Sequence, residues 1–255
     1  MPYRYYIITG IIAYCTFLIA TVPAAPVLSM LEDRVPVTFT NITGTLWSGR
    51  AGTIYTRRNI RLNNVEWSFQ PLRLLLAKAS VKVDAEFNNK PFNSRLSTGL
   101  NGKLIVDNLT MKLGATDIAS LISLPLGELS GEFMLNIDHA VFDPGSVPRI
   151  DGKLNWNQAT ITVAETADLG SVSILINGTS ESPLAATITN AGGHLALNGK
   201  LTTNDQGMYS LQLTMKPNST ASENLVSSLA MFAKKQRNGE FILNNNGNLK
   251  TLGVM

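Results

Sequence analysis

The sequence predicts a mainly β protein: an N-terminal transmembrane helix, then one extended antiparallel β-sheet domain with a few short helices. Three observations carry this. Residues 5–31 contain no charged side chain, later segments alternate apolar and polar residues, and clusters of Gly, Asn, Asp and Pro punctuate them. The predicted division is 1–31 for a cytoplasmic start and membrane anchor, and 32–255 for a β domain across the membrane.

The first element follows from its apolar run. A helix needs about 20 mostly apolar residues to cross the hydrocarbon core of a bilayer, and YYIITGIIAYCTFLIATV nearly supplies them. Tyr3, Tyr5 and Tyr6 stand where an interfacial aromatic belt would lie, and Arg4 with the terminal amine places the N-terminus in the cytoplasm. A cleaved signal peptide, cut after Val22 and Ala24, is the competing reading. The long apolar region and the prolines at 23 and 26 favour the uncleaved anchor.

The strands follow from period-two patterning. Val81, Val83, Ala85 and Phe87 oppose Ser80, Lys82, Asp84 and Glu86; Phe133, Leu135, Ile137 and Val141 oppose Glu132, Asn136 and Asp138. The pattern recurs at Val172, Ile174 and Ile176, at Leu195, Leu197 and Leu201, and at Tyr209, Leu211, Leu213 and Met215. Strands with one buried and one wet face read this way and usually pair antiparallel. Turns are expected at Asn88-Asn89, Asp143-Pro144-Gly145 and Gly192-Gly193, and a hairpin at Asn204-Asp205-Gln206-Gly207. A loose repeat places a glycine before an alternating run in LNGKLIVDNLTM, LSGEFMLNIDHA, IDGKLNWNQATI and LNGKLTTNDQGM. Its spacing is irregular, so it describes strands added one after another rather than a solenoid. Three helices interrupt the strands: 71–79, begun by Pro71; 117–124, capped by Asp117; and 222–237, with Ser222 at its N-cap and cations in its last turn.

Composition removes most chemistry. Charged residues make up 15% of the chain against about 25% in ordinary soluble proteins, and the net charge is +3. No Lys/Arg stripe exists for phosphate contacts, so no nucleic-acid partner is expected; Arg57, Arg58 and Arg61 read as a solvated strand edge. The single cysteine, Cys15, excludes an intrachain disulfide. His139 shares parity with Phe133, Leu135 and Ile137 and reads as a satisfied histidine on a buried face; neither it nor His194 has a ligand-spaced partner. No nucleophile motif, phosphate loop or dinucleotide fingerprint occurs. The prediction is a protein that is not an enzyme and needs no cofactor and no metal. Four Asn-x-Thr sequons, beginning at Asn41, Asn108, Asn177 and Asn218, matter only in a eukaryotic secretory setting.

One motif stands apart. In GTLWSGRAG, Gly44, Gly49 and Gly52 surround Leu46 and Trp47. Glycine within a strand marks a bulge or a close backbone approach, so this stretch predicts a sharp strand-to-strand corner with a packed indole. The motif, preceded by a short cytoplasmic start and one apolar anchor, resembles type II secretion system protein N. The resemblance continues through VEWSFQPLRLLLAKASVKVDAEF, LPLGELSGEFMLNID and NGEFILNNNGNL, in that order along most of the chain. The glycine-entered strands and Trp-x-Phe-x-Pro are also similar to AsmA-type envelope proteins. The resemblance implies a curved sheet with an apolar inner face, and an accessory inner-membrane subunit of the secretion machine, with residues 32–255 as a periplasmic scaffold domain in export of folded proteins. Its partners would be other inner-membrane secretion-system subunits and membrane lipid. Gly44, Leu46, Trp47, Gly49 and Trp67 are the residues expected to shape the sheet's concave face. The alternative is an envelope module whose sheet shields lipid, because an apolar sheet face left bare by helices must be covered by something else.

Overall fold

A computed structural model describes residues 3–32, 37–56, 60–99, 101–115, 117–118, 128–162, 165–179 and 181–249. The chain is mainly β, built on a large antiparallel sheet with a few short helices. It divides into two compact units, 1–96 and 97–255.

In the first unit the N-terminal apolar run forms two helices where the sequence predicts one. Helix α1 spans Tyr3–Ala20 and helix α2 Ala24–Glu32. Between them, Pro23 forms an isolated bridge with Thr45 and Val22 accepts the Leu46 N–H, so the backbone leaves the helical path to pair with the sheet. No helix among the described residues is long and apolar enough to cross a membrane. The apolar side chains of α1 lie on all its faces, and its residues from Tyr5 to Ala20 are exposed.

The strands of this unit are β1 (Val37–Thr40), β2 (Thr43–Gly44), β3 (Ser48–Thr56), β4 (Arg61–Phe69), β5 (Lys78–Phe87) and, up to Leu96, β6 (Lys90–Gly99). They pair in the order β1-β3-β4-β5-β6, with β2 beside β3. The expected turn at Asn88-Asn89 is present, with both residues at positive φ (47° and 62°), the conformation that a two-residue hairpin loop needs. Alternation delivers Ala51, Val65 and Ala85 to a small core, against which Ile54, Leu62, Trp67, Val83 and Phe92 pack. The helix expected over 71–79 is a 3-10 helix, Pro71–Leu76. Ala77 stops it in the left-handed region (φ 54°), and β5 begins at the next residue.

The second unit is a meander: β7 (Leu104–Gly114), β8 (Glu128–Phe142), β9 (Arg149–Thr162), β10 (Thr166–Asn177), β11 (Ala186–Ala191), β12 (Leu195–Thr203) and β13 (Met208–Pro217), in which each strand from β8 on pairs with the one before. Helix α3 (Glu223–Phe232), the two-residue β14 (Lys234–Lys235) and β15 (Phe241–Asn248) complete it, in the order β13-β15-β14. The predicted hairpin at 204–207 joins β12 to β13; the Asn204 carboxamide oxygen accepts the N–H groups of Gln206 and Met208 and so shapes the turn.

Two expectations are corrected here. His139 is exposed, not on the buried face. A register shift between Ile137 and His139 resets the alternation, so Ala140 is buried (2% exposed) in place of its neighbours, and His139 Nδ1 meets Asp107 Oδ1 at 2.7 Å. The last helix begins as predicted, Ser222 Oγ accepting the Leu225 N–H, but it ends at Phe232. Lys234 and Lys235, expected in its last turn, form β14 against Ile242 and Phe241. The helix expected over 117–124 lies mostly outside the described residues; Asp117 itself is buried and accepts the Gly114 N–H.

Helix α3 lies on the sheet through Val226 and Leu229, packed with Leu197, Leu213 and Leu243 against the buried Met215, Ala233 and Phe241. Its N-terminus is tied down from another element, since Glu165 accepts from both Ser222 Oγ (2.9 Å) and Asn224 Nδ2 (3.2 Å).

Candidate functional site

All five residues singled out in the sequence meet at one corner of the first unit. Gly44 pairs with Gly49 at the base of a β2–β3 hairpin whose tip is Thr45-Leu46-Trp47-Ser48, closed by Thr45 N–H donating to Ser48 O at 2.9 Å. Gly44 has φ +88°, and a Cβ there would stand 2.6 Å from Ser48 O, so only glycine closes this hairpin without strain. Gly49 is required for a different reason. It lies opposite Trp67 on β4, and the indole crosses the space a side chain at 49 would fill. A ring laid over a cross-strand glycine covers backbone that the glycine leaves bare. Trp67 Nε1–H then donates to Leu46 O at 3.2 Å, fastening β4 to the hairpin tip.

Trp47 makes a second set of contacts. Its ring stands 5.0 Å from that of Phe69, tilted by 58°, within the roughly 4.5–7 Å separation over which aromatic pairs attract. Its Nε1–H donates to Ile19 O at 2.7 Å in the last turn of α1, sharing that carbonyl with the longer Val22 N–H bond at 3.4 Å. Leu46 N–H donates to Val22 O at 2.9 Å, and Trp47 O accepts the Phe69 N–H at 2.6 Å. The hairpin tip is therefore a brace, bonded to the end of α1 on one side and to β4 on the other. Around it lies an apolar depression of about 500 Å³ lined by Ala20, Trp47, Phe69, Pro71 and Leu74.

The opposite side of Gly49 and Trp67 is polar: a depression of about 350 Å³ includes Arg50, Glu66 and Asp84, with an exposed Arg50–Glu66 ion pair at 2.9 Å. Exposed pairs of this kind are worth about 0–1 kcal/mol. Among the described residues there is no cluster of three His, Cys, Asp or Glu that could hold a metal ion. What the corner offers chemically is hydrogen bonding and aromatic packing.

Two features were not singled out in the sequence. The second unit repeats the glycine–tryptophan device: Trp156 Nε1–H donates to Ser130 O at 2.8 Å beside Gly131 (φ +110°), and the Trp156 ring stacks on Phe133 at 4.9 Å. The glycine-entered run LSGEF and the tryptophan in LNWNQ were its signal. The other is the bareness of the helix at 71–76, where Leu72, Leu74, Leu75 and Leu76 are 53–85% exposed. None of its residues is buried.

Comparison with known proteins agrees with this ordering of motifs. The family model described as Type II secretion system (T2SS), protein N matches residues 36–244. A curated relative, Type II secretion system protein N from Aeromonas hydrophila, is 23% identical over 248 residues, covering 94% of this chain and 96% of its own. No solved structure matches significantly.

Proposed function

This chain belongs to the type II secretion system protein N family, and on that footing we propose that it is an inner-membrane accessory subunit whose β units act as a periplasmic scaffold for export of folded proteins. The observation that carries the membrane part is α1. A helix apolar on every face is stable when something apolar surrounds it, and among the described residues nothing covers α1 from Tyr5 to Ala20. Its 18 residues reach about 27 Å, close to the roughly 30 Å hydrocarbon thickness. So short a helix sits nearly upright, with Tyr3, Tyr5 and Tyr6 at the cytoplasmic interface and Trp47 at the outer one. In this reading the corner formed by Gly44, Leu46, Trp47, Gly49 and Trp67 sets the angle at which the sheet leaves the membrane, and presents its faces and loops to other inner-membrane subunits.

Three measurements test the reading. The protein should resist extraction by carbonate, retain its own N-terminus, and carry an active periplasmic reporter after Met255. A mature N-terminus near Ala25 with release into the soluble periplasm would overturn the anchor. For the scaffold, detergent pull-down of the full chain should recover secretion-system subunits, and deletion should stop export of folded substrates. Undiminished export together with an empty pull-down refutes it.

Lipid shielding is the second reading, supported by an apolar cavity of about 170 Å³ under α3, lined by Leu169, Leu195, Leu213, Leu225, Leu229 and Phe232. Small-molecule sites usually measure about 300–1,000 Å³, so this one admits part of an acyl chain at most. Native mass spectrometry of the gently solubilised protein decides it: bound phospholipid supports shielding, and a ligand-free spectrum counts against it.

A further inference from the structure

We propose that the leucines of the 3-10 helix Pro71–Leu76 enter the outer leaflet of the membrane that holds α1, making a second contact that fixes how the first unit stands on the bilayer. The inference rests on the anchor reading above and adds to it. Leu72 is 79% exposed, Leu75 85% and Leu76 72%, the most exposed large hydrophobic side chains outside α1 together with Met231 and Met30. Four leucines concentrated in five residues and bare of any covering element are costly in water and need an apolar surrounding.

The position of the helix identifies that surrounding. Leu74 and Pro71 line the same apolar depression as Ala20, the last residue of α1, and Trp47, whose indole is bonded to Ile19 O. If the end of α1 marks the outer edge of the hydrocarbon, these leucines stand at that level, beside an indole of the kind that favours membrane interfaces. Charge agrees. From Gln70 to Val81 the ionisable side chains are Arg73 and Lys78, two cations suited to anionic phospholipid headgroups, while Lys82 further along β5 is paired with Asp84. Ala77, turned to φ 54°, ends the helix and sends the chain back into β5 after a single shallow excursion, consistent with the roughly 5–10 Å depth of interfacial segments.

The test uses the full chain in phosphatidylglycerol-containing proteoliposomes, with an environment-sensitive fluorophore at one cysteine at a time: native Cys15 in α1, Leu75→Cys, or Asn89→Cys, the last two in a Cys15→Ser background. Asn89 lies past the far end of β5, about 30 Å along the strand from the leucines. Nitroxide-bearing lipids serve as quenchers. A blue-shifted Leu75→Cys label, quenched by nitroxides near the headgroups, beside an unshifted and unquenched Asn89→Cys label, is the expected result. Quenching at Cys15 with a water-exposed label at Leu75→Cys leaves the anchor standing and overturns this inference. Absence of quenching at Cys15 overturns the anchor and this inference with it. A blue-shifted Leu75→Cys label that lipid nitroxides do not quench means a protein surface covers the leucines, and also overturns the inference.

Discussion

Replacing Gly49 by alanine measures how tightly the corner is built. Gly49 has no left-handed φ, so the obstacle is space rather than backbone conformation. A Cβ there would stand 2.6 Å from Thr43 O and 2.9 Å from Trp67 Cε2. Neither yields easily: Thr43 belongs to the β2–β3 ladder, and Trp67 is held by its bond to Leu46 O. Overpacking a fitted site costs about 1–3 kcal/mol. Displacing the indole forfeits a hydrogen bond worth about 1 kcal/mol, while the stiffer unfolded chain returns about 0.4–1 kcal/mol. The net expectation is a loss of about 2 kcal/mol. With a urea slope of about 2 kcal/mol/M, the unfolding midpoint falls by about 1 M. The assay is urea unfolding of the full chain in detergent, followed by tryptophan fluorescence in a Trp156→Phe background, so that Trp47 and Trp67 report the first unit alone. In a further Trp67→Leu background the ring is gone, and the same substitution should cost at least about 1 kcal/mol less, a coupling expected of residues in contact. An unchanged midpoint for Gly49→Ala, or equal costs with and without the indole, would refute the reasoning.

Three other outcomes are expected. Trp47→Phe keeps the ring against Phe69 but removes the bond to Ile19 O; stability should drop by about 1 kcal/mol, and amide exchange in the last turn of α1 should quicken. Asn190→Leu strips three bonds of 2.7 Å, to Leu169 O, Leu195 O and the Leu197 N–H, so the β10–β12 turn region should lose about 2–3 kcal/mol by urea midpoint. Ser222→Ala removes the α3 cap and one partner of Glu165, costing about 1 kcal/mol in the second unit, with Ser222→Asn restoring most of it.

The strands were legible because period two is a property of neighbouring residues. Val83, Ala85 and Phe87, or Leu213 and Met215, announce a buried face without any knowledge of their partners. Failures came where tertiary pairing overrode local pattern. The shift at Ile137/His139 depends on the register with β9, which no local pattern encodes. Lys234 and Lys235 look like helix-ending cations, yet Phe241, fully buried, brings β15 alongside and takes them as a strand. The break after Ala20 depends on Thr45 and Leu46, some 25 residues further along the chain. At the corner, the glycines and Trp47 were legible from their spacing. That Trp47 would reach back to α1 was not, because the bond joins residues 28 apart in sequence.

The order of the meander governs how the second unit can assemble. From β8 to β13 each strand pairs with the one that precedes it in the chain, so a chain emerging N-terminus first presents its strands in the order in which they zip together. Each new pairing closes a short loop onto an edge already waiting, which keeps the entropic barrier of every step low. One step breaks the sequence: β15 must bypass α3 and β14 to reach β13. Until residue 248 has emerged, β13 is an open edge of ten residues, the kind of surface on which stray strands collect. Closure by β15 hands the outer edge to β14, two residues long and both lysine, so the finished sheet ends on a strand too short and too charged to recruit another.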